Sequence, residues 1–597
     1  MIKTACALDC FDACSVVCDS SDGIKLVSGE EVPMTNGALC AHLYKHIHEA
    51  KRIKKPMVNG KEVSLDEALD AVANSIKDKN WLLWRGSGNL GLMQQVTNLL
   101  AKSANGALTH GTLCDGAGDA AIRDGRGVNK LLSVEQISKA DVVVVWGRNI
   151  TVTNSHIMPY IKDKDIVVID PVKTKIAKMA NLHIQVKPRS DFYLAILLSR
   201  FLIMESAEDK EWLEEYASEW EEFYDFTRSF RIKAILEYIG LSLNDIGDLL
   251  VKLQSQKVVF LLGAGVQHYD IGYDAIRAID ALASILGLFG KEGCGVSFLS
   301  DSKLGFENPF SVKTPTEPIA TTQFSKYKSV IVQGGNPVES MPCSNRVVDE
   351  LKEVDNLIYF GLYENETSKL ANIIIPAKSF LEKDDIRLSY GHEYMQIMNK
   401  AYDSDIGISE YQFTQEILKR LNLEPIKSED YYIDFWKNQA LQRDGKLISP
   451  AFEDIPYKDG FGEDGDDEFE FIDDFYDDFE DIKALRRFRK KIKLESSDMW
   501  LLTPKSSKSL NSQFSSQESI VYIPKMSFIS DGDRVLVKSL WGELEMTAKV
   551  SPDLRDDCVL IRRDVKGVNI LTPPISSAEG AMACYGDVKV KLEKLKN

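Results

Sequence analysis

Ala140-Asp141-Val142-Val143-Val144-Val145-Trp146-Gly147-Arg148-Asn149 is the stretch that decides the fold. Its apolar run does not alternate with polar residues, so it reads as a strand covered on both faces, the habit of parallel sheets. The run ends abruptly in a glycine-bearing polar loop. Asp165-Ile166-Val167-Val168-Ile169-Asp170-Pro171 repeats the design, and Leu182-His183-Ile184-Gln185-Val186 repeats it again before Pro188-Arg189-Ser190-Asp191. Helical patterns lie between and after these runs. Strand, loop and helix in this alternation predict an α/β protein with doubly wound sheets, which bind ligands at the carboxyl ends of the strands.

The pattern extends in both directions. Trp81–Arg85 runs into Gly86-Ser87-Gly88, Val258–Leu262 into Gly263-Ala264-Gly265-Val266-Gln267-His268, and Ser329–Gln333 into Gly334-Gly335-Asn336-Pro337. Glycine lets a backbone approach a ligand closely. Several such loops spread along the chain predict a long ligand held by more than one domain. No GxGxxG follows the runs at 142–146, 165–169 or 182–186, so an ordinary nicotinamide site is not supported there.

Composition bounds the rest. The chain has 597 residues, 44% of them hydrophobic and 27% charged, and its formal net charge is −18. That length is too great for one core and suggests roughly four domains. The acidic balance offers no electrostatic footprint for nucleic acid. No apolar run reaches the roughly 18 residues of a membrane span, and Met1-Ile2-Lys3-Thr4-Ala5 leaves no room for a signal peptide, so a cytoplasmic protein is expected.

Five of the ten cysteines fall in the first forty residues, and four of them form a pattern, Cys6, Cys10 and Cys14, then Cys40, with Cys18 set aside. A tight three-cysteine loop with one distant partner supplies the converging thiolates of a cubane iron–sulfur cluster. Zinc competes, but structural zinc sites come as two short-spaced pairs, and only one side is clustered here. A disulfide framework is the bland alternative, disfavoured in a long chain without an export signal. Beyond Cys40, His42, His46 and His48 read either as a polar helical surface or, for His42, as a group between the cluster and a second redox centre.

Cys114 lies alone among glycines in Leu108-Thr109-His110-Gly111-Thr112-Leu113-Cys114-Asp115-Gly116-Ala117-Gly118. A buried structural cysteine is the ordinary reading. Against it, the thiolate would stand at a helix N-terminus, where the dipole stabilises it as a ligand for a soft metal. Ser64 with Glu67 forms the signature of a capping box. Ile472, Phe475, Phe479, Ile482, Leu485 and Phe488 recur at steps of three and four, so 472–491 reads as an amphipathic helix with acidic residues in its N-terminal half and basic ones in its C-terminal half. From Met499 onward, short alternating strands with turns at Asp531-Gly532-Asp533 and Gly542 predict a compact β-barrel.

Together these motifs resemble the molybdopterin oxidoreductase family, which includes formate dehydrogenases, nitrate reductases and thiosulfate or polysulfide reductases. The likeness covers essentially the whole chain. Cys6, Cys10, Cys14 and Cys40 match the family's iron–sulfur loop, and Cys114 stands at its metal-ligating cysteine or selenocysteine. Trp146, Gly147, Arg148 and Asn149, then Asp170 with Thr174, then Asp191, look like loops that hold one guanine dinucleotide arm. Gly335 and Asn336, Glu366 with Thr367, and Ile375-Pro376 with Glu382 match the other half; Gly263 and Gly265 belong to the strand-end loops. Thr503, Lys505, Asn511, Gln513 and Asn569 match the barrel that caps the pterins. The sequence departs from the family where His42 replaces a usual Lys, Asp115 replaces the His of formate dehydrogenases, and Asn372 replaces a common Asp.

The resemblance implies a domain order: 1–54 for a 4Fe-4S domain, 55–138 with 326–460 and 139–325 for two α/β dinucleotide-binding domains, 461–496 for a connecting helix, and 497–597 for the barrel. It implies two-electron redox or oxo transfer on a small molecule at molybdenum or tungsten. The metal would be held by bis-molybdopterin guanine dinucleotide and Cys114, with electrons passing through the cluster to a partner protein. His42, His110 and Asp115 join Cys114 as candidate catalytic residues, with Arg148 beside them. Two alternatives stand: a tungsten-dependent hydratase, and a cluster-bearing subunit that has lost the pterin. Retention of Cys114 favours an enzyme over the latter.

Overall fold

The computed structural model describes residues 1–49, 51–472, 498–516 and 518–596. It separates into two compact units. One comprises Met1–Leu113, Ser302–Phe452 and Ser507–Ser516; the other comprises Cys114–Asp301, Glu453–Ser506 and Gln517–Asn597.

The first unit is built on an eight-stranded sheet. Its order is Thr316–Pro318, Ala107–His110, Trp81–Arg85, Ser329–Gln333, Asn356–Gly361, Ile373–Pro376, Met57–Val58 and Lys61–Glu62. All pairings are parallel except those made by the last two strands. From Trp81–Arg85 the chain winds one way to Ala107–His110; from Ser329–Gln333 it winds the other way through Asn356–Gly361. The order therefore reverses where Arg85 pairs with Gln333. Strand alternation sends Leu83 to one face and Leu82 and Trp84 to the other. Leu83, Ile331 and Phe360 pack under helix Leu65–Ile76, whose Ala68, Leu69, Val72 and Ile76 are buried. Leu82, Trp84, Val330 and Val332 pack with Val347 and Leu351 of helix Ser344–Glu353. The capping box at Ser64 and Glu67 is present.

This unit also carries a small antiparallel sheet of Ile2–Ala5, Ser15–Asp19 and Lys25–Ser28. Residues Cys6–Cys14 form the loop between its first two strands, closed by the Cys6 amide donating to the Cys14 carbonyl at 2.9 Å.

The second unit holds a parallel five-stranded sheet, ordered Leu182–Ile184, Asp165–Ile169, Val142–Trp146, Val258–Leu262 and Gly295–Ser297. The winding reverses between Val142–Trp146 and Val258–Leu262, paired as far as Trp146 and Leu262. The Leu182–Ile184 strand is shorter than the run Leu182–Val186 because the Val186 amide turns back to the Ile184 carbonyl at 3.0 Å. Helix Gly116–Arg126 lies in this unit: Arg126, 1% exposed, forms an ion pair with Asp280 of helix Gly272–Ile285. Strands Met499–Leu502, Cys558–Ile561, Ile520–Ile523, Glu543–Val550, Arg534–Lys538 and Lys589–Lys594 close into a barrel around Leu501, Val521, Val535, Val559 and Val590. Closure leaves no free sheet edge.

Two expectations shift. Asn511 and Gln513 are not barrel residues; Ser507–Ser516 leaves the barrel and groups with the first unit. Of the helix expected over 472–491, all but the first residue lies outside the described residues, and Ile472 is buried. Among the described residues no helix is long and apolar enough to cross a membrane.

Candidate functional site

Both sheets carry the same device at the point where their strand order reverses. In the first unit, the Gly86 amide donates to the Gln333 carbonyl and the Gly88 amide to the Gly334 carbonyl, each at 2.9 Å. A Cβ on Gly86 would overlap the backbone of Gly335, one on Gly88 the Gly334 carbonyl, and one on Gly335 the Trp84 ring. Asn336 is buried, and its side-chain oxygen accepts from the Thr367 hydroxyl at 2.8 Å. Glu366 instead meets Lys369 at 2.9 Å.

In the second unit, the Gly263 amide donates to the Trp146 carbonyl at 2.9 Å and the Gly265 amide to the Gly147 carbonyl at 3.2 Å. A Cβ on Gly263 would overlap the Gly147 carbonyl and Arg148, and Gly147 itself holds φ +59°. Trp146 Nε1 donates to buried Asp191 at 2.7 Å. Burial lifts Asp191 to about 6 and Asp170, which accepts the Val172 amide, to about 7. Carboxyls so placed beyond the strand ends are suited to accept hydroxyl or amide hydrogens from a ligand. Arg148 reaches Asn154 at 3.2 Å, Asn149 caps the short helix Ile150–Thr153, and Thr174 accepts the Ala177 amide at 3.3 Å.

The cysteine loop is gripped by one stretch, 387–396. Ser389 Oγ donates to the Phe11 carbonyl (2.9 Å), Tyr390 to Asp9 (3.0 Å), and Gln396 Nε2 to the Ala13 carbonyl (2.6 Å). His392 accepts the Tyr394 amide at Nδ1, so its Nε2–H is the donor to the Asp12 carbonyl at 3.1 Å. Asn511 Nδ2 donates to the other oxygen of Asp9 at 2.8 Å. Ala13 lies at φ +36°, a strained position for a residue with a Cβ, and its carbonyl is fixed by Gln396. Cys6 and Cys14 are buried, Cys10 is half-buried and Cys40 exposed. Burial, then Cys40, pushes the Cys6 thiol up to about 12; Cys10 and Cys14 are raised too, by burial first and by the other thiols. The four sulfurs therefore lie within electrostatic range of one another. Among the described residues no three His, Cys, Asp or Glu gather tightly enough for a single ion.

Cys114 is half-buried just before helix Gly116–Arg126, with Asp115 as its N-cap. Gln267 staples this turn: Nε2 donates to the Cys114 carbonyl and Oε1 accepts the Gly118 amide, both at 2.7 Å. Gly116 abuts Gly580 so closely that neither has room for a Cβ. Beside the turn, His268 is buried, accepts from Arg563 at Nδ1 (3.4 Å) and meets the Tyr585 ring edge-on at 5.6 Å. Burial, then Arg563, pushes His268 down to about 3. Arg563 also stacks over Tyr585 at 4.9 Å. In sequence, Gln267 and His268 stand only as part of a strand-end loop, and no motif signals Arg563 or Tyr585.

The remaining candidates scatter. His110 is exposed at the end of its strand. His42 is half-buried, lowered by burial and then Lys45, and stacks on Phe514 at 6.5 Å. His46 is buried, against the expectation of a polar surface. The Gln513 side-chain oxygen is buried without a hydrogen-bond partner among the described residues. Thr503 and Lys505 follow the first barrel strand, and Asn569 is buried, accepting from Thr572 at 3.2 Å.

Comparison with known proteins completes the picture. Over 511 residues the chain is 25% identical to the probable oxidoreductase YyaE of Bacillus subtilis (strain 168), covering 76% of each. It is 25% identical to the alpha subunit of the F420-dependent formate dehydrogenase of Methanocaldococcus jannaschii, covering 77% of this chain and 75% of that one. In fold it is similar to acetylene hydratase from Pelobacter acetylenicus, with a TM-score of 0.76 over the whole of both chains at 14% identity. The profile of the molybdopterin oxidoreductases matches residues 52–408, more than half of the chain, and the protein belongs to the molybdopterin oxidoreductase family.

Proposed function

We propose that this enzyme is the catalytic subunit of a molybdenum or tungsten oxidoreductase that carries out two-electron redox or oxo transfer on a small substrate, with electrons relayed singly through one 4Fe-4S cluster. The observation that carries the reading is the paired glycine cradle at the strand reversal of both sheets. Each cradle leaves bare backbone where a side chain would collide. Two such sites suit the two nucleotide arms of bis-molybdopterin guanine dinucleotide.

The residues present fit that group. Trp146, Gly147, Arg148, Asn149, Gly263 and Gly265 would hold one arm, with Asp170, Thr174 and Asp191 supplying acceptors to its sugar and base. Gly335, Asn336 and Glu366 would serve the other arm. Thr503, Lys505, Asn511, Gln513 and Asn569 would complete the pterin contacts; the orphaned oxygen of Gln513 is an acceptor in want of a donor. Cys114 would ligate the metal on a turn that Gln267 fixes. When bound, the metal–pterin group supplies the redox or oxo-transfer chemistry, and the protein supplies ligation, orientation and electrostatics.

Cys6, Cys10, Cys14 and Cys40 would hold the cluster, whose four irons take one thiolate each and need no convergence on a single point. Cys40, the exposed one of the four, would lie toward an electron-transfer partner protein. Metal analysis and pterin extraction on anaerobically purified full-length protein test the proposal. Iron together with molybdenum or tungsten and guanine nucleotide is expected; iron near zero, or no pterin, would sink it.

A second reading is hydration without net redox at tungsten. Asp115, a carboxyl directly beside Cys114, supplies the acid–base group that hydration needs, and the fold neighbour is itself named a hydratase. Turnover in the complete absence of an electron acceptor would favour it.

A further inference from the structure

The cysteine loop rests on a buried cation. Arg387 is 3% exposed. A guanidinium carries five N–H donors. Here Nε donates to the Cys6 carbonyl at 3.1 Å, and Nη2 donates to the carbonyls of Leu8 and Cys10, both at 3.3 Å. Nη1 donates to the carbonyls of Leu388 at 2.7 Å and Leu90 at 3.4 Å. Every donor ends on a neutral oxygen. Two other deeply buried arginines meet carboxylates, Arg126 with Asp280 and Arg189 with Asp270 and Asp587, whereas Arg277, 5% exposed, donates to the Phe471 carbonyl at 3.1 Å. Holding a guanidinium in an interior is costly unless an anion compensates it.

The anion that fits is the one this loop would carry. Cys6 and Cys10 would be two of its four thiolate ligands, and a thiolate-ligated cubane has a net negative charge that grows by one on reduction. Net charge and hydrogen bonding around the sulfurs set the potential of such clusters. We propose that Arg387 is the internal counter-cation of the cluster, a positioning residue that favours its reduced state. The proposal rests on the cluster reading given above. Asp12 is buried in the same loop at 3% exposure and acts on Cys6 with the opposite sign to Arg387. The two charges thus act on the local field with opposite signs. Ser389, Tyr390, His392 and Gln396 hold the loop through other atoms, so its shape does not depend on Arg387 alone.

The test is a dye-mediated redox titration of anaerobically purified full-length protein, following the paramagnetic signal of the reduced cluster. One electron passes from the reduced dye to the cluster, and no bond forms or breaks. In Arg387→Gln the reduced-to-oxidised ratio at the wild-type midpoint should fall about tenfold, a downward shift of about 59 mV for one electron. Arg387→Lys, which keeps the charge but loses the fork, should stay near wild type, and Asp12→Asn should shift upward. A Gln variant that fails to hold iron while the Lys variant holds it also supports the charge role. Equal shifts in Gln and Lys, no shift in either, or loss of iron from both would reduce Arg387 to a clamp and overturn the proposal. Absence of iron from the wild type would overturn the cluster reading and this inference with it, and the wild-type iron content tells that failure from the others.

Discussion

His46 shows how one side chain is decided by partners far away in sequence. It lies on helix Ala41–His48, just after Cys40, where His42, His46 and His48 look like a polar face. In the fold its Nδ1 meets the Tyr363 hydroxyl, its Nε2 lies 3.4 Å from Ser379 Oγ, and its ring packs on Phe380 at 5.1 Å. Burial, then Arg52, pushes it down to about 4. Unfolded, it would titrate near 6.5. As pH falls from about 6.5 to 4 the unfolded chain takes up a proton that the folded chain refuses, so stability is full above that window and is lost through it. Denaturant midpoints measured across this range should fall, and His46→Gln should fall less steeply. An unchanged slope would show that His46 protonates in place. Nothing local in the sequence signals this burial, because Tyr363 and Phe380 arrive from the segments after strands Asn356–Gly361 and Ile373–Pro376, far along the chain. Arg387 is illegible for the same reason: a lone arginine in a short strand has no pattern, and its acceptors in the cysteine loop, Cys6, Leu8 and Cys10, lie near the other end of the chain.

At the scale of elements the sequence was far more informative. Val142–Trp146 and Val258–Leu262 announce themselves by unbroken apolar runs, and the glycines after them by residue type alone. What could not be read is which loop meets which, since that follows from strand order, and order is fixed by the packing of both sheet faces. The contact gives a direct expectation. Gly263→Ala places a Cβ against the Gly147 carbonyl and Arg148, both backbone-fixed, so the two loops must part. Gly247, mid-helix in Leu243–Leu253, has open space instead. There Ala should stabilise the protein by up to about 1 kcal/mol, since glycine is a poor helix former. Gly263→Ala should lose at least about tenfold in nucleotide retained through purification, with Gly247→Ala unchanged in nucleotide and higher in Tm. Full nucleotide in Gly263→Ala would mean that the cradle is packing, not a binding surface.

For the molecule as a whole, the question is whether its chemistry depends on Cys114 as the holding of its cofactor does not. The proposed nucleotide contacts are distributed over two sheets, the barrel and the Ser507–Ser516 segment, whereas the metal has one proposed protein ligand. Removing a single contact from a distributed set costs little binding; removing the sole protein ligand changes the metal's coordination outright. Cys114→Ala keeps the backbone carbonyl that Gln267 grips, so the turn should persist. The variant should therefore retain guanine nucleotide and the cluster's reduced-state signal at wild-type levels while turnover falls at least about a thousandfold, equivalent to about 4 kcal/mol of lost transition-state stabilisation. Nucleotide release, cluster signal and activity are measured on the same preparation. Loss of nucleotide with activity would place Cys114 among the structural supports, and full activity would remove it from the metal.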